Sequence, residues 1–241
     1  GDLISNLAAS DAHFAAAFDG DADRVIFADE RGNLVDGDHI LYLLARHLLA
    51  AGKLPGPVVV TTSMANSGLD DGLAASGVRT LRTQVGDKYV LREMLAGGFV
   101  LGGEQSGHII LYDTQHTTGD GIYTALWLAH LINQHPRRSL QALAQGFHKK
   151  PQVIASARVS SRPALETLPG FSRAYQKALE TLGAEATVNV RYSGTEPLVR
   201  VMIEASLEHS VVELAKFSLD LCRAVTMGSG RPLAHVEVKD C

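Results

Sequence analysis

The chain has 241 residues, 46% of them hydrophobic, with 22 basic and 26 acidic residues and a formal net charge of −4. This composition supports a buried core and excludes global disorder, and its slight acidity leaves no footprint for nucleic acid or an anionic membrane surface. Its two cysteines, Cys222 and Cys241, cannot build a disulfide framework, and no apolar stretch reaches the roughly 20 residues of a membrane span, so the expected compartment is the cytoplasm.

No signal peptide opens the chain, and it starts on Gly1 without Met, which reads as a piece of a longer protein or a product cut from one. FAAAF (14–18) and VIFA (25–28) are short apolar runs read as buried strands, with DGDADR in the turn between them. Asp38 is expected to cap a helix running through HILYLLARHLLAAG to Gly52. Next come a buried strand in PVVVTTS, a short helix in NSGLDDGLAASG, a strand in RTLRTQ and a helix in DKYVLREMLAGG. FVLGG and HIILYD read as strands, and TTGDGIYTALWLAHLINQH as a long helix. Strand–helix alternation of this kind predicts an α/β layer built on a largely parallel sheet.

Near Pro151 the pattern changes. PQVIASARV, ATVNVRY and LVRVMIEAS read as strands, and FSRAYQKALETLG and SVVELAKFSLDLCRAV as helices, which predicts a small α+β domain.

Four short segments carry chemistry. Asp19, Asp21 and Asp23 alternate along one turn, and such closely spaced carboxylates suit a hard divalent cation like Mg²⁺. An EF-hand is rejected, because the position that needs glycine holds Arg24 and the flanks read as strands. A phosphatase with an aspartyl nucleophile also uses a strand followed by Asp-x-Asp and stays open on this segment alone. In VGDKYV (85–90), Asp87 and Lys88 open a helix at a strand end, where sheets of this type place their sites; a plain helix cap at Asp87 is the competing reading.

In GGEQSGH (102–108), Glu104, Gln105 and Ser106 offer a carboxylate, an amide and a hydroxyl suited to sugar hydroxyls, and His108 a proton donor or acceptor. A polar hairpin turn with a structural histidine is the alternative. In RYSGTEPLVR (191–200), Ser193 and Thr195 supply hydroxyls and Gly194 is expected to allow an unusual backbone angle. Arg191 and Arg200 would then flank a nest of backbone N–H groups fit for a phosphate.

Taken in order, DGDADR, VGDKYV, GGEQSGH and RYSGTEP resemble the α-D-phosphohexomutases, over nearly the whole chain. Within that family the wording of VGDKYV, GGEQSGH and SGTEPLVRVM is most similar to the members that interconvert glucosamine 6-phosphate and glucosamine 1-phosphate. Two positions depart from the usual pattern: Ala22, where many members have Gly, and Tyr192, where Pro or Lys is frequent.

The resemblance implies a four-domain enzyme of which residues 1–36 are the end of the metal-binding domain two. Residues 37–150 would form the sugar-recognition domain three, a mixed sheet with flanking helices, and 151–241 the α+β phosphate-binding domain four. It also implies a phosphoserine in domain one, outside this chain, and therefore no turnover by these 241 residues alone. Asp19, Asp21 and Asp23 would hold Mg²⁺, with Arg24 beside the transferring phosphoryl group. Glu104 and Ser106 would grip the sugar; Arg191, Ser193, Gly194, Thr195 and Arg200 would hold the phosphate that does not react. Lys88 or His108 would move the proton. The implied partners are a hexosamine phosphate and its 1,6-bisphosphate, with neither nucleic acid nor membrane, and a homodimer is left open. A sugar-phosphate-binding module without catalysis, and a mutase of glucose or mannose phosphates, stand as alternatives.

Overall fold

The computed structural model describes residues 7, 10–112, 117–137, 139–194, 196–230 and 236–240. The chain divides into two compact units, Gly1–Lys149 and Lys150–Cys241.

The first unit opens with a three-stranded antiparallel sheet of β1 (Phe14–Phe18), β2 (Val25–Asp29) and β3 (Leu34–Val35). Strand β2 is largely buried, but β1 is not the buried strand its apolar letters suggest: Ala17 and Phe18 are exposed. Helix α1 (Gly37–Ala50) follows at once. Its N-cap is Asp36, which accepts from the His39 N–H, rather than Asp38, which lies inside the first turn with no exposed surface. Its apolar positions Ile40, Leu41, Leu44 and Leu48 recur at helical spacing and are buried.

Strands β4 (Val58–Thr62), β5 (Arg79–Thr83), β6 (Leu101–Gly103) and β7 (Ile109–Leu111) form a mixed sheet in the order β5-β4-β6-β7. β4 pairs in parallel with both β5 and β6, and β7 runs antiparallel at the edge. All five residues of β4 are buried, as expected for a strand covered on both faces. Helix α2 (Gly68–Ala74) joins β4 to β5, and α3 (Asp87–Gly97) joins β5 to β6, ending on Gly98 at φ 67°. Helix α4 (Gly121–Gln134) is capped by Asp120 through the Tyr123 N–H at 2.8 Å, and a short α5 spans Leu140–Ala144.

Two cores flank this sheet. On one side Val25 and Phe27 of β2 pack with Ile40 and Leu44 of α1, Leu101 and Ile109 of the sheet, and Leu128 of α4. The aspartate-bearing hairpin therefore shares a core with the α/β layer. On the other side Val90 and Met94 of α3 pack on Val58, Val60 and Ile110.

The second unit is one antiparallel sheet in the order β11-β8-β10-β9, with β8 (Gln152–Arg158), β9 (Thr187–Tyr192), β10 (Leu198–Glu204) and β11 (Val236–Asp240). Helices α6 (Phe171–Leu182) and α7 (Val211–Gly228) pack on it around a core that includes Val153, Ile203, Leu221 and Val225. This is the small α+β arrangement expected after the change of pattern near Pro151.

Candidate functional site

The turn between β1 and β2 brings oxygens of Asp19, Asp21 and Asp23 within 4.8 Å of one another. Ala22 sits at φ 60°, the one non-glycine residue with positive φ among the described residues, and this left-handed step keeps the turn tight. The Arg24 N–H donates to Asp19 Oδ1 at 3.2 Å, and the guanidinium lies 2.7 Å from Asp19 Oδ2 and 3.4 Å from Asp23 Oδ1. Desolvation works to raise the Asp19 pKa, but the N–H of Arg24, the neighbouring Asp23 and the Arg24 charge outweigh it and hold the carboxyl below its ordinary value. Three oxygen donors from one turn fit a hard divalent cation.

The loop after β6 comes down onto this turn. His108 Nδ1 lies 3.1 Å from Asp23 Oδ2, and its imidazole is almost fully buried. The Val25 N–H donates to the Gly107 carbonyl at 3.1 Å. Gly107 adopts φ 93°, and a Cβ there would stand 2.2 Å from the Val25 carbonyl oxygen, so only glycine fits this crossing. A third segment closes the group, because the Gly121 N–H donates to the Ala22 carbonyl at 3.0 Å and a Cβ at Gly119 would stand 2.4 Å from the His108 ring. The glycines of TTGDGIY were the available signal for this packing, which the sequence reading passed over in favour of a helix start.

Glu104 is half-buried and Ser106 exposed. Glu104 Oε1 accepts the Gly86 N–H at 3.1 Å, so VGDKYV enters the site through its glycine backbone. Gly86 is also the residue that precedes α3, and no side chain caps this helix, so Asp87 is not its cap. Lys88 is exposed with its ammonium 4.9 Å from the Tyr89 ring centroid; among the described residues no hydrogen bond or ion pair joins it to the aspartate turn or to His108.

In the second unit Arg191 and Arg200 are directly opposed on β9 and β10, so both side chains lie on one face of the sheet. Arg200 pairs with Glu196 at 2.7 Å, whereas Arg191 has no counter-ion among the described residues. Burial, and then the charge of Arg200, lower the Arg191 pKa. Ser193 is buried; its N–H donates to the Leu198 carbonyl at 2.8 Å, and its hydroxyl accepts the Glu196 N–H at 3.3 Å.

Two expectations for this loop are corrected. Gly194 does not take a left-handed angle and faces open space, so glycine is not required for its backbone. The N–H groups of Ser193 and Glu196 are already engaged within the turn, which narrows the expected nest. Thr195 lies outside the described residues. Arg162, which the sequence reading did not single out, reaches the same turn by donating to the Glu196 carbonyl at 2.7 Å.

Residues 36–150 match the model of phosphoglucomutase/phosphomannomutase, alpha/beta/alpha domain III, and residues 152–218 that of phosphoglucomutase/phosphomannomutase, C-terminal domain. The chain is 46% identical over 224 residues to a phosphoglucosamine mutase of Desulforudis audaxviator, covering 93% of this chain and 49% of that protein. It is 49% identical over 191 residues to a phosphoglucosamine mutase of Koribacter versatilis, covering 79% of this chain and 41% of the relative. The chain thus spans about half the length of the curated relatives it matches.

Among solved structures, a phosphoglucomutase/phosphomannomutase family protein from Burkholderia thailandensis superposes with a TM-score of 0.73 at 24% identity, over 97% of this chain and 51% of the other. An Aspergillus fumigatus N-acetylphosphoglucosamine mutase, solved in complex with GlcNAc-6P and magnesium, gives 0.69 at 22% identity, over 91% and 50%. With both domain models matched in order over most of its length and a relative near half-identical across it, the chain belongs to the phosphoglucomutase/phosphomannomutase family.

Proposed function

We propose that these residues are the C-terminal portion of a phosphoglucosamine mutase, interconverting glucosamine 6-phosphate and glucosamine 1-phosphate through a 1,6-bisphosphate. The observation that carries this reading is the contact of the aspartate turn with the 102–108 loop through Asp23 and His108, which brings the three clustered carboxylates next to the loop of Glu104 and Ser106. The names of the relatives supply the hexosamine, and the magnesium and GlcNAc-6P of the Aspergillus enzyme agree with the ligand classes.

In this reading the phosphoryl donor is a phosphoserine in the half of the protein that the relatives have beyond these residues, and the 241 residues alone do not turn over. A hydroxyl of the sugar phosphate attacks the phosphoserine phosphorus; the P–O bond to the sugar forms, the P–O bond to serine breaks, a base takes the hydroxyl proton, and the departing serine oxygen takes up a proton. The bisphosphate then turns around and returns its other phosphoryl group to serine. Asp19, Asp21 and Asp23 would hold Mg²⁺, which would neutralise charge on the transferring group. Arg24 tethers two of those carboxylates and presents its exposed guanidinium to the same region. Glu104 and Ser106 orient the sugar, and Arg191, Arg200, Ser193, Gly194 and Thr195 bind the phosphate that does not react. Exposure favours Lys88 as the proton carrier, since the His108 ring is enclosed with one nitrogen on Asp23.

The test is a coupled assay of the full-length phosphorylated protein with glucosamine, glucose and mannose phosphates, beside Glu104→Ala. Preferred turnover of the glucosamine phosphates, lost in the variant, supports the reading. Preference for a mannose or glucose phosphate, or no isomerisation, overturns it.

A further inference from the structure

The first turn of α1 holds two carboxylates with separate surroundings. Asp36 caps the helix, lies 2.7 Å from His39 Nδ1 and pairs with the Lys149 ammonium. Burial opposes its ionised form, but the His39 hydrogen bond and the Lys149 charge prevail and bring its pKa down to about 2. Asp38 faces the other way. It has no exposed surface, and its Oδ2 accepts the Asn66 N–H at 2.9 Å and the Gln105 side-chain amide at 3.1 Å. Its Oδ1 is buried with no hydrogen-bond partner among the described residues.

Gln105 is the residue between Glu104 and Ser106, and the same helix start grips it twice. Its carbonyl accepts the Gly37 N–H at 3.0 Å while its amide donates to Asp38. The Gly37 backbone is pressed so close that a Cβ would stand 1.9 Å from the Glu104 carbonyl oxygen. Backbone and side chain of one loop residue are thus clamped by consecutive residues of α1, 67 positions away in sequence for the Asp38 bond. Retaining a fully buried carboxyl with an orphaned oxygen costs stability, and a cost of that kind marks a site where position matters more than packing.

We propose that Asp38 is a positioning residue: it fixes the 104–106 loop through Gln105 and so sets the direction in which Glu104 and Ser106 meet the sugar. The proposal rests on the reading that Glu104 and Ser106 bind the sugar. Asp38 does not touch the substrate. It holds one end of the loop, Gly86 holds the Glu104 carboxylate, and His108 anchors the other end on Asp23.

The experiment is hydrogen exchange by mass spectrometry on the full-length protein, with calorimetric titration of glucosamine 6-phosphate, for Asp38→Ala, Asp38→Asn, Gln105→Ala and Glu104→Ala. Asp38→Ala is expected to speed exchange in peptides covering 103–108 about tenfold and to weaken sugar-phosphate binding about tenfold, the equivalent of one lost hydrogen bond. Peptides of α4 at 125–132 should stay as in the parent. Asp38→Asn keeps an acceptor for Asn66 and Gln105 and should restore both readouts. Gln105→Ala removes the partner without emptying the core, so it should loosen the loop alike even where Asp38→Ala does not fold.

Unchanged loop exchange in Gln105→Ala, or faster exchange spread equally through α4, overturns the proposal. Glu104→Ala separates it from the sugar reading. If that variant binds glucosamine 6-phosphate normally, the sugar assignment fails, whatever the loop exchange shows about Asp38.

Discussion

His108 and Asp23, 85 positions apart in sequence, meet with Nδ1 3.1 Å from Oδ2, and through this contact the 102–108 loop rests on the aspartate turn. The buried imidazole holds the Asp23 carboxylate in one rotamer, and if Asp23 serves the proposed cation, such an outer partner commonly affects affinity 10–100-fold. The two segments are therefore expected to respond together when either is changed.

The central aspartate gives the first test. Asp21 is the exposed member of the three and no neighbour can replace it. Asp21→Asn is expected to weaken Mg²⁺ binding at least tenfold in calorimetric titration of the full-length protein. Affinity equal to the parent's would remove Asp21 from the ligand set.

Ala22 tests the turn itself. An alanine at φ 60° bears a strain of roughly 1–2 kcal/mol, partly offset because glycine loses more chain entropy on folding. Ala22→Gly should raise stability by up to about 1 kcal/mol, whereas β-branched Ala22→Val should lower it by more than that. Urea unfolding of the three proteins reads this directly, and a valine variant as stable as the parent would contradict the backbone angle.

Asp38 gives a pH dependence. Burial, then the neighbouring Asp36 charge, push its carboxyl up to about 7, against an ordinary value near 4. Between those values the folded protein keeps a proton that the unfolded chain has released, so this group's contribution to stability falls as pH rises from about 4 to about 7 and is level above. The nearby charges, Asp36 and its partners His39 and Lys149, are common to parent and variant. The melting temperature of Asp38→Asn relative to the parent should therefore climb across that window; a difference independent of pH would show that Asp38 is ionised throughout.

Arg191 is tested by truncation. Its guanidinium is half-buried without a counter-ion among the described residues, and a charge-assisted bond to a phosphate is worth on the order of 1.5–3 kcal/mol. Arg191→Ala should weaken sugar-phosphate binding about tenfold to hundredfold, with turnover at saturating substrate less affected. Lower turnover with intact affinity would assign Arg191 a different task.

The strands and helices that local letters define were legible. The valine run of β4 and the spaced leucines of α1 permit one reading each, and the change at Pro151 separates the two kinds of sheet. Strand β11 was not, because its place is set by pairing with β8, with Val236 opposite Ala157, rather than by its own residues. The choice between Asp36 and Asp38 as helix cap was equally hidden: both satisfy the capping pattern, and the contacts of Asn66 and Gln105 decide it. For the candidate site, the sequence exposed the donor types but not their surroundings. His108 looks like an available imidazole until Gly107 and Gly119 enclose it, and Gly194 looks like a conformational necessity until its backbone angle turns out ordinary.

The opposed guanidiniums of Arg191 and Arg200 also bear on how the protein is handled. Two like charges on one patch, a single carboxylate pairing only one of them, repel until an anion arrives. Buffer composition then becomes an experimental variable: if the patch holds the phosphate as proposed, inorganic phosphate or sulfate would occupy it, raise the melting temperature and compete with the sugar phosphate. Affinities measured in phosphate buffer would read too weak, and those in a sulfonate buffer at low ionic strength would come nearer the intrinsic value.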